Sequence, residues 1–196
     1  MSKDYETIHL IQEQMEDVGD ELTNLVVRMY NRLEKKQRYA SGLSTSITLF
    51  LAMKYLGYNP LLILGTVRFQ GVSFPHAWLD LYGNIVDIAI AEDTKYHPVL
   101  SEKVKPVKVQ CCRSYDEAEL DYFDFQFSDM WPMHGMKQVV GKTLAEYINS
   151  AEEIDILAEV CDILNISAIV DNGKKIYEMA QEYKIYDTAK EVYVNG

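Results

Sequence analysis

The chain has 196 residues, enough for one domain with a sizeable apolar core. Its formal net charge of -11 opposes nucleic acid and anionic membrane as partners, since both would repel it. Its apolar runs, such as "ITLFLAM" and "PLLILG", are too short to span a bilayer.

The amino-terminal segment is acidic and amphipathic and lacks the apolar centre of a signal peptide. Cys111, Cys112 and Cys161 form no CxxC pair, and adjacent cysteines bridge only with strain. A reduced, cytoplasmic protein is expected.

In chain order, residues 4–36 carry a helical period. Ile8, Ile11, Met15, Val18, Leu22, Leu25 and Met29 are spaced by threes and fours, which places them on one face. Gly19-Asp20 is a natural break. The same spacing is that of a coiled-coil seam, so the helix either packs on its own domain or pairs with another copy as a homo-oligomer.

Residues 43–56 predict a second helix, apolar almost all round and therefore buried, with Gly57 as its stop and Pro60 beyond. "PLLILGTVRF" predicts a central strand, with Gly65 at a bulge or a close approach. "SFPHAWLDLYGNIVDIAIA" predicts two antiparallel strands around a tight turn at Tyr82-Gly83-Asn84.

"KPVKVQCC" and "LDYFDFQF" predict further strands, joined by the polar "RSYDEAEL" and followed by the loop "SDMWPMHGMK". From Val139 the chain is helical again, with Ser150 placed to cap "AEEIDILAEVCDIL". No repeat or Gly/Ser-rich linker divides these parts. A single α+β domain over 1–196 is expected, with a core at 39–135, the amino-terminal helix or helices at 4–36 and carboxy-terminal helices at 139–194.

Side chains alternate along a strand, so His76, Trp78 and Asp80 share one face. If Tyr82 and Gly83 form the hairpin loop, Asp87 lies opposite Trp78 and diagonal to His76, about 7–8 Å away at the backbone. If Gly83 and Asn84 form it, Asp87 pairs with Asp80 and is too far from His76 for contact. The first register is favoured, because only it gives the His and the Asp a common purpose. A nucleophile at the start of helix 43–56 would then complete a nucleophile–imidazole–carboxylate site, with the helix dipole and backbone N–H groups favouring an anion. Read on its own, a histidine beside a tryptophan on a strand is equally well a hydrogen-bonded structural residue.

The order "SG-L-S", buried helix, "LGY", "LLILGTVRF", "HAWLDLYGNIVDIA" resembles the transglutaminase-like superfamily, the papain-like group of Cys-His-Asp enzymes. Within it, the likeness is to bacterial peptidase-like members, including the lasso-peptide leader peptidases. Their pattern has a cysteine opening the helix, a Leu-Gly at its end, a strand, then "HAW" with an acidic residue two after the Trp. An Asp closes the next strand. The likeness covers residues 39–90 and implies a transglutaminase/papain-like core of a buried helix against an antiparallel sheet.

By position, His76 matches the general base and Asp87 the orienting acid. Trp78 and Asp80 match the residues that follow the His and would line the cleft. The cysteine has no counterpart, since the matching position falls on Gly42, flanked by Ser41 and close to Ser44. Cys111 and Cys112 come after the His and the Asp, in the wrong order for the family.

Three functions follow as expectations. The first is a catalytically degenerate protein that binds a peptide or protein partner in the former active-site cleft. The second is a hydrolase or acyltransferase acting on peptide or protein amide or ester bonds, with Ser44 or Ser41 as nucleophile. That reading requires a serine hydroxyl within about 3.5 Å of the imidazole. The third is an interaction module that oligomerises through the amino-terminal helix.

Other polar groups suggest less. His9 is placed on an exposed helix face, His97 in a loop, and His134 among Met and Trp residues of "WPMHGM". No spacing of His, Asp or Glu indicates a metal, no Gly-rich loop indicates a phosphate, and no cofactor is expected. The acidic stretch Asp116, Glu117, Glu119 and Asp121 lacks EF-hand spacing and is expected to be solvated.

Overall fold

In a computed structural model, the described residues are 3–36, 41–124, 139–151, 155–167 and 170–185. The expected strand residues 125–127, the loop "SDMWPMHGMK" with His134, and Glu152 and Glu153 lie outside them.

Helix α1 (Lys3–Gln14) and helix α2 (Asp20–Lys36) are separated by a 3-10 turn (Glu16–Val18) and by Gly19, whose positive φ breaks the helix where the sequence suggested. The apolar seam turns inward on this chain itself. Ile11, Met15, Leu22, Leu25 and Met29 are at most 1% exposed, within the main core. The other two seam residues, Ile8 and Val18, are half-buried and pack against the same core.

Helix α3 (Gly42–Tyr55) is buried on all sides, as its composition requires. It ends in a Schellman motif: Gly57 N–H donates to Lys54 O and Tyr58 N–H to Met53 O, with Gly57 at φ +89°. Three of its buried hydroxyls are bonded locally or to the sheet. Ser44 donates to Ser41 O, Thr48 to Ser44 O, and Ser46 reaches across to Ala77 O.

The strands are β1 (Leu61–Phe69), β2 (Val72–Leu81), β3 (Asn84–Asp87), β4 (Gln110–Ser114) and β5 (Asp121–Asp124). They form one curled antiparallel sheet of order β4-β3-β2-β1-β5, so β2 rather than β1 takes the middle, although β1 is paired on both sides. Side chains of β2 alternate between two apolar clusters. Ala77, Leu79 and Leu81 face the large core with α3, whereas Phe74 and Trp78 enter a smaller one with Val67, Ile85 and Leu100.

The β2–β3 hairpin pairs Leu81 with Asn84 and Leu79 with Val86, which leaves Tyr82-Gly83 as a two-residue loop. Both loop residues have positive φ, as a type I′ turn demands, and Asp80 accepts a hydrogen bond from Gly83 N–H at 2.7 Å. This is the register that the His–Asp argument favoured.

The second hairpin strand is shorter than expected. It ends at Asp87, and "AIAEDTKY" forms helix α4 (Ala89–Tyr96) instead of continuing the strand. Asp87 fixes the switch, because its Oδ1 accepts Ile90 N–H at 3.1 Å and ties the first turn of the helix back to the strand end. The short helix α5 (Leu100–Lys103) follows.

Beyond the sheet come α6 (Leu144–Ser150), α7 (Ile156–Leu164) and α8 (Val170–Glu182). Ser150 closes α6 rather than capping the next helix, and Asp155 caps α7 by accepting Ala158 N–H. Helix α7 packs on α3 and is clamped to α2 by charge. Glu159, 1% exposed, lies 2.8 Å from Lys36 Nζ and 3.4 Å from Arg32 Nε, and Arg32 Nη1 also meets Asp162. The whole is an α+β arrangement of helices around one sheet.

Candidate functional site

The site forms where the start of α3, the middle of β2, the end of β3 and helix α4 converge. His76 Nε2 lies 2.9 Å from Asp87 Oδ2, and both residues are at most 3% exposed. The two-residue turn places them diagonally across the hairpin, so the contact needs no backbone distortion.

Two residues that the sequence did not point to complete the arrangement. Tyr122 on β5 donates its phenol to Asp87 Oδ2 at 2.9 Å. Asp93 on α4, 5% exposed, accepts Ser41 N–H at 3.2 Å with Oδ1 and sets Oδ2 3.5 Å from His76 Nδ1. The imidazole therefore stands between two carboxylates, Asp87 on one nitrogen and Asp93 on the other.

That placement decides its protonation. If Nε2–H donates to Asp87, a lone pair on Nδ1 would face the Asp93 carboxylate 3.5 Å away and be repelled, which favours a ring protonated on both nitrogens. Burial by itself pushes the imidazole down from 6.5, but the charge of Asp87, its hydrogen bond and the charge of Asp93 outweigh that and raise it. Burial also raises the Asp93 carboxyl from 3.8, against the pull of His76 and of the Ser41 N–H.

Both shifts mean that the folded protein binds its protons more tightly than the unfolded chain. The stability they contribute is complete below the unfolded values and is lost as pH rises through the folded ones. For His76 the loss begins above its ordinary value of 6.5. As pH rises above 6.5, the melting temperature is therefore expected to fall more steeply in the wild type than in His76→Gln. Parallel melting curves across that range would rule out a strongly held imidazole proton.

Neither expected nucleophile meets the ring. Ser44 gives its hydroxyl to Ser41 O, and the Ser41 hydroxyl is buried without a hydrogen-bond partner. What faces His76 from α3 is Gly42. A Cβ added there would sit 2.8 Å from His76 Cε1 and 2.9 Å from Nδ1, closer than side chains tolerate. The imidazole lies in the volume that a residue-42 side chain would fill.

The cysteines offer no substitute. Cys111 on β4 is buried, and desolvation, with Cys112 beside it, pushes its thiol well up. Burial raises the Cys112 thiol to about 11. Neither is a ready thiolate.

Of the expected cleft residues, Trp78 is 1% exposed, donates Nε1–H to the Tyr115 hydroxyl at 3.1 Å and packs edge-on against Tyr122. Asp80 serves the hairpin turn. His9 is on an exposed face of α1, and His97 accepts the N–H groups of Val99 and Leu100 at the turn after α4. Asp116, Glu117, Glu119 and Asp121 are exposed. Among the described residues no group of His, Cys, Asp or Glu is placed to hold a metal ion, and no helix is long and apolar enough to cross a membrane.

Tyr122 left no signal in the sequence beyond lying on an expected strand. Asp93 had one: "AIAEDTKY" is rich in helix formers, and a helix begun at Asp87 brings residue 93 back toward the hairpin. The chain matches no known family model, no characterised protein and no solved structure.

Proposed function

We propose that this protein is a catalytically silent, transglutaminase-like protein that holds a peptide or protein partner without turning it over. The observation that carries the reading is Gly42. At the position where the resemblance calls for the cysteine, there is no side chain, and His76 occupies the space that one would need. Asp93 on the second ring nitrogen supports it further, because a ring turned to carboxylates on both sides has no lone pair for a nucleophile's proton.

The Ser-His-Asp reading finds no support in the positions of Ser41 and Ser44. A partner would meet the surface around this buried cluster. Tyr115 is the outward part of it, 37% exposed, bonded to Trp78 and edge-on to Tyr122.

The test has two halves. Purified protein is offered p-nitrophenyl esters and a peptide library, beside His76→Gln and Ser44→Ala. No turnover above the variants is expected, and turnover that both substitutions abolish would restore the hydrolase. In parallel, displayed random peptides are selected on the protein and their affinities measured by fluorescence polarisation. Tyr115→Ala is expected to weaken the selected peptides about tenfold or more. A selection that enriches nothing would remove the binding half.

A further inference from the structure

We infer that the amino end of α3 and the imidazole of His76 form a binding site for a carboxylate, and that the chain's own Asp93 fills it. This builds on the reading of the site as one that binds without reacting, and it names the chemistry bound.

The first turn of an α-helix carries N–H groups with no partner inside the helix and a partial positive charge, so it attracts anions. At α3 that place is taken by Asp93, which comes from another element. One oxygen accepts Ser41 N–H at 3.2 Å, and the other lies 3.5 Å from His76 Nδ1. A backbone N–H on one oxygen and an imidazole beside the other is how a carboxylate is held by both its atoms.

The fit of Asp93 is incomplete. The His76 contact is longer than a hydrogen bond. Ser41, the N-cap of α3, makes no side-chain capping bond, and its hydroxyl is buried with no partner. One turn further on, the Thr45 hydroxyl is buried in the same condition. Buried hydroxyls are nearly always bonded, so that of Ser41, the residue whose N–H already holds Asp93, marks polar capacity that Asp93 leaves unused. A carboxylate free to settle deeper than a tethered Asp side chain would use it.

The experiment empties the site and offers it a free carboxylate. Asp93→Ala is melted in sodium acetate and in equimolar sodium chloride, with wild type and Asp93→Asn as controls that keep the site filled. Acetate is expected to raise the Asp93→Ala melting temperature saturably, by about 4 °C or more over chloride, and to leave both controls unchanged. Adding Ser41→Ala should weaken the acetate response several-fold. Should Asp93→Ala fail to fold, Asp93→Ser provides the smaller polar replacement for the same comparison.

Short peptides with free and amidated carboxyl ends then distinguish the sources. A response to free-acid peptides and not to amidated ones identifies a chain terminus as the ligand. A response to acetate alone identifies a small organic acid. Identical melting in acetate and chloride for the emptied variant would overturn the inference, even where the protein proves unable to hydrolyse anything. Turnover, conversely, would overturn the silent reading and leave the acetate result standing.

Discussion

Replacing Asp87 by alanine is expected to destabilise the protein by about 3–5 kcal/mol, the usual cost of breaking a buried charge pair from one side. Asp87 is 2% exposed, and its two oxygens accept three bonds: from His76 Nε2, from the Tyr122 phenol and from Ile90 N–H. Alanine would strand a buried imidazole, a phenol and the first turn of α4 together. Tyr122→Phe removes only one of the three donors and should cost about 1 kcal/mol. Urea midpoints for the two variants provide the measurement. If Asp87→Ala fell within 1 kcal/mol of wild type, the cluster would have no role in holding β3 to α4.

The second large effect is expected at Gly65. A Cβ there would lie 2.2 Å from Phe123 O and 2.4 Å from Trp78 Cη2. The first of these is backbone and cannot yield without parting β5 from β1, which are paired at Gly65 and Asp124. The second is a ring held by the Tyr115 hydroxyl. Gly65→Ala should therefore cost about 1–3 kcal/mol or more, with a changed near-ultraviolet dichroism from Trp78 and faster amide exchange in β5.

Gly173 on α8 is the natural control, since nothing lies within 4 Å of a Cβ placed there. In that open helical position alanine should add up to about 1 kcal/mol of stability. Equal effects at the two glycines would show that close approach at Gly65 is not what constrains it.

The parts of this molecule that were legible in the sequence are those set by short-range rules. The seam of α2 follows from spacing, and its burial from the apolar character of each position. The hairpin register followed from a chemical demand, since only one turn lets Asp87 reach His76. Gly42 could be read as a missing nucleophile, though not as the place where the imidazole itself comes to rest.

What escaped was the second carboxylate. "NIVDIAIA" alternates well enough to extend a strand, and the apolar residues of "IAIA" fit either element. The choice was made by one side chain, Asp87, which bonds the N–H of Ile90 and begins a helix. That helix carries Asp93 to the histidine. Tyr122 escaped for a different reason: its role depends on β5 lying next to β1, a pairing across more than fifty positions that no local pattern encodes.

The clamp between α2 and α7 bears on how the protein is made. Arg32 and Asp162 are 130 positions apart, and Lys36 and Glu159 are 123 apart. A ribosome releases α2 and α3 long before the helix that covers them, at roughly 5–20 residues per second. For several seconds the nascent chain must carry an apolar α3 with one flank uncovered. Arg32 and Lys36 cannot meet their acidic partners in that interval, so the clamp closes only once α7 has emerged.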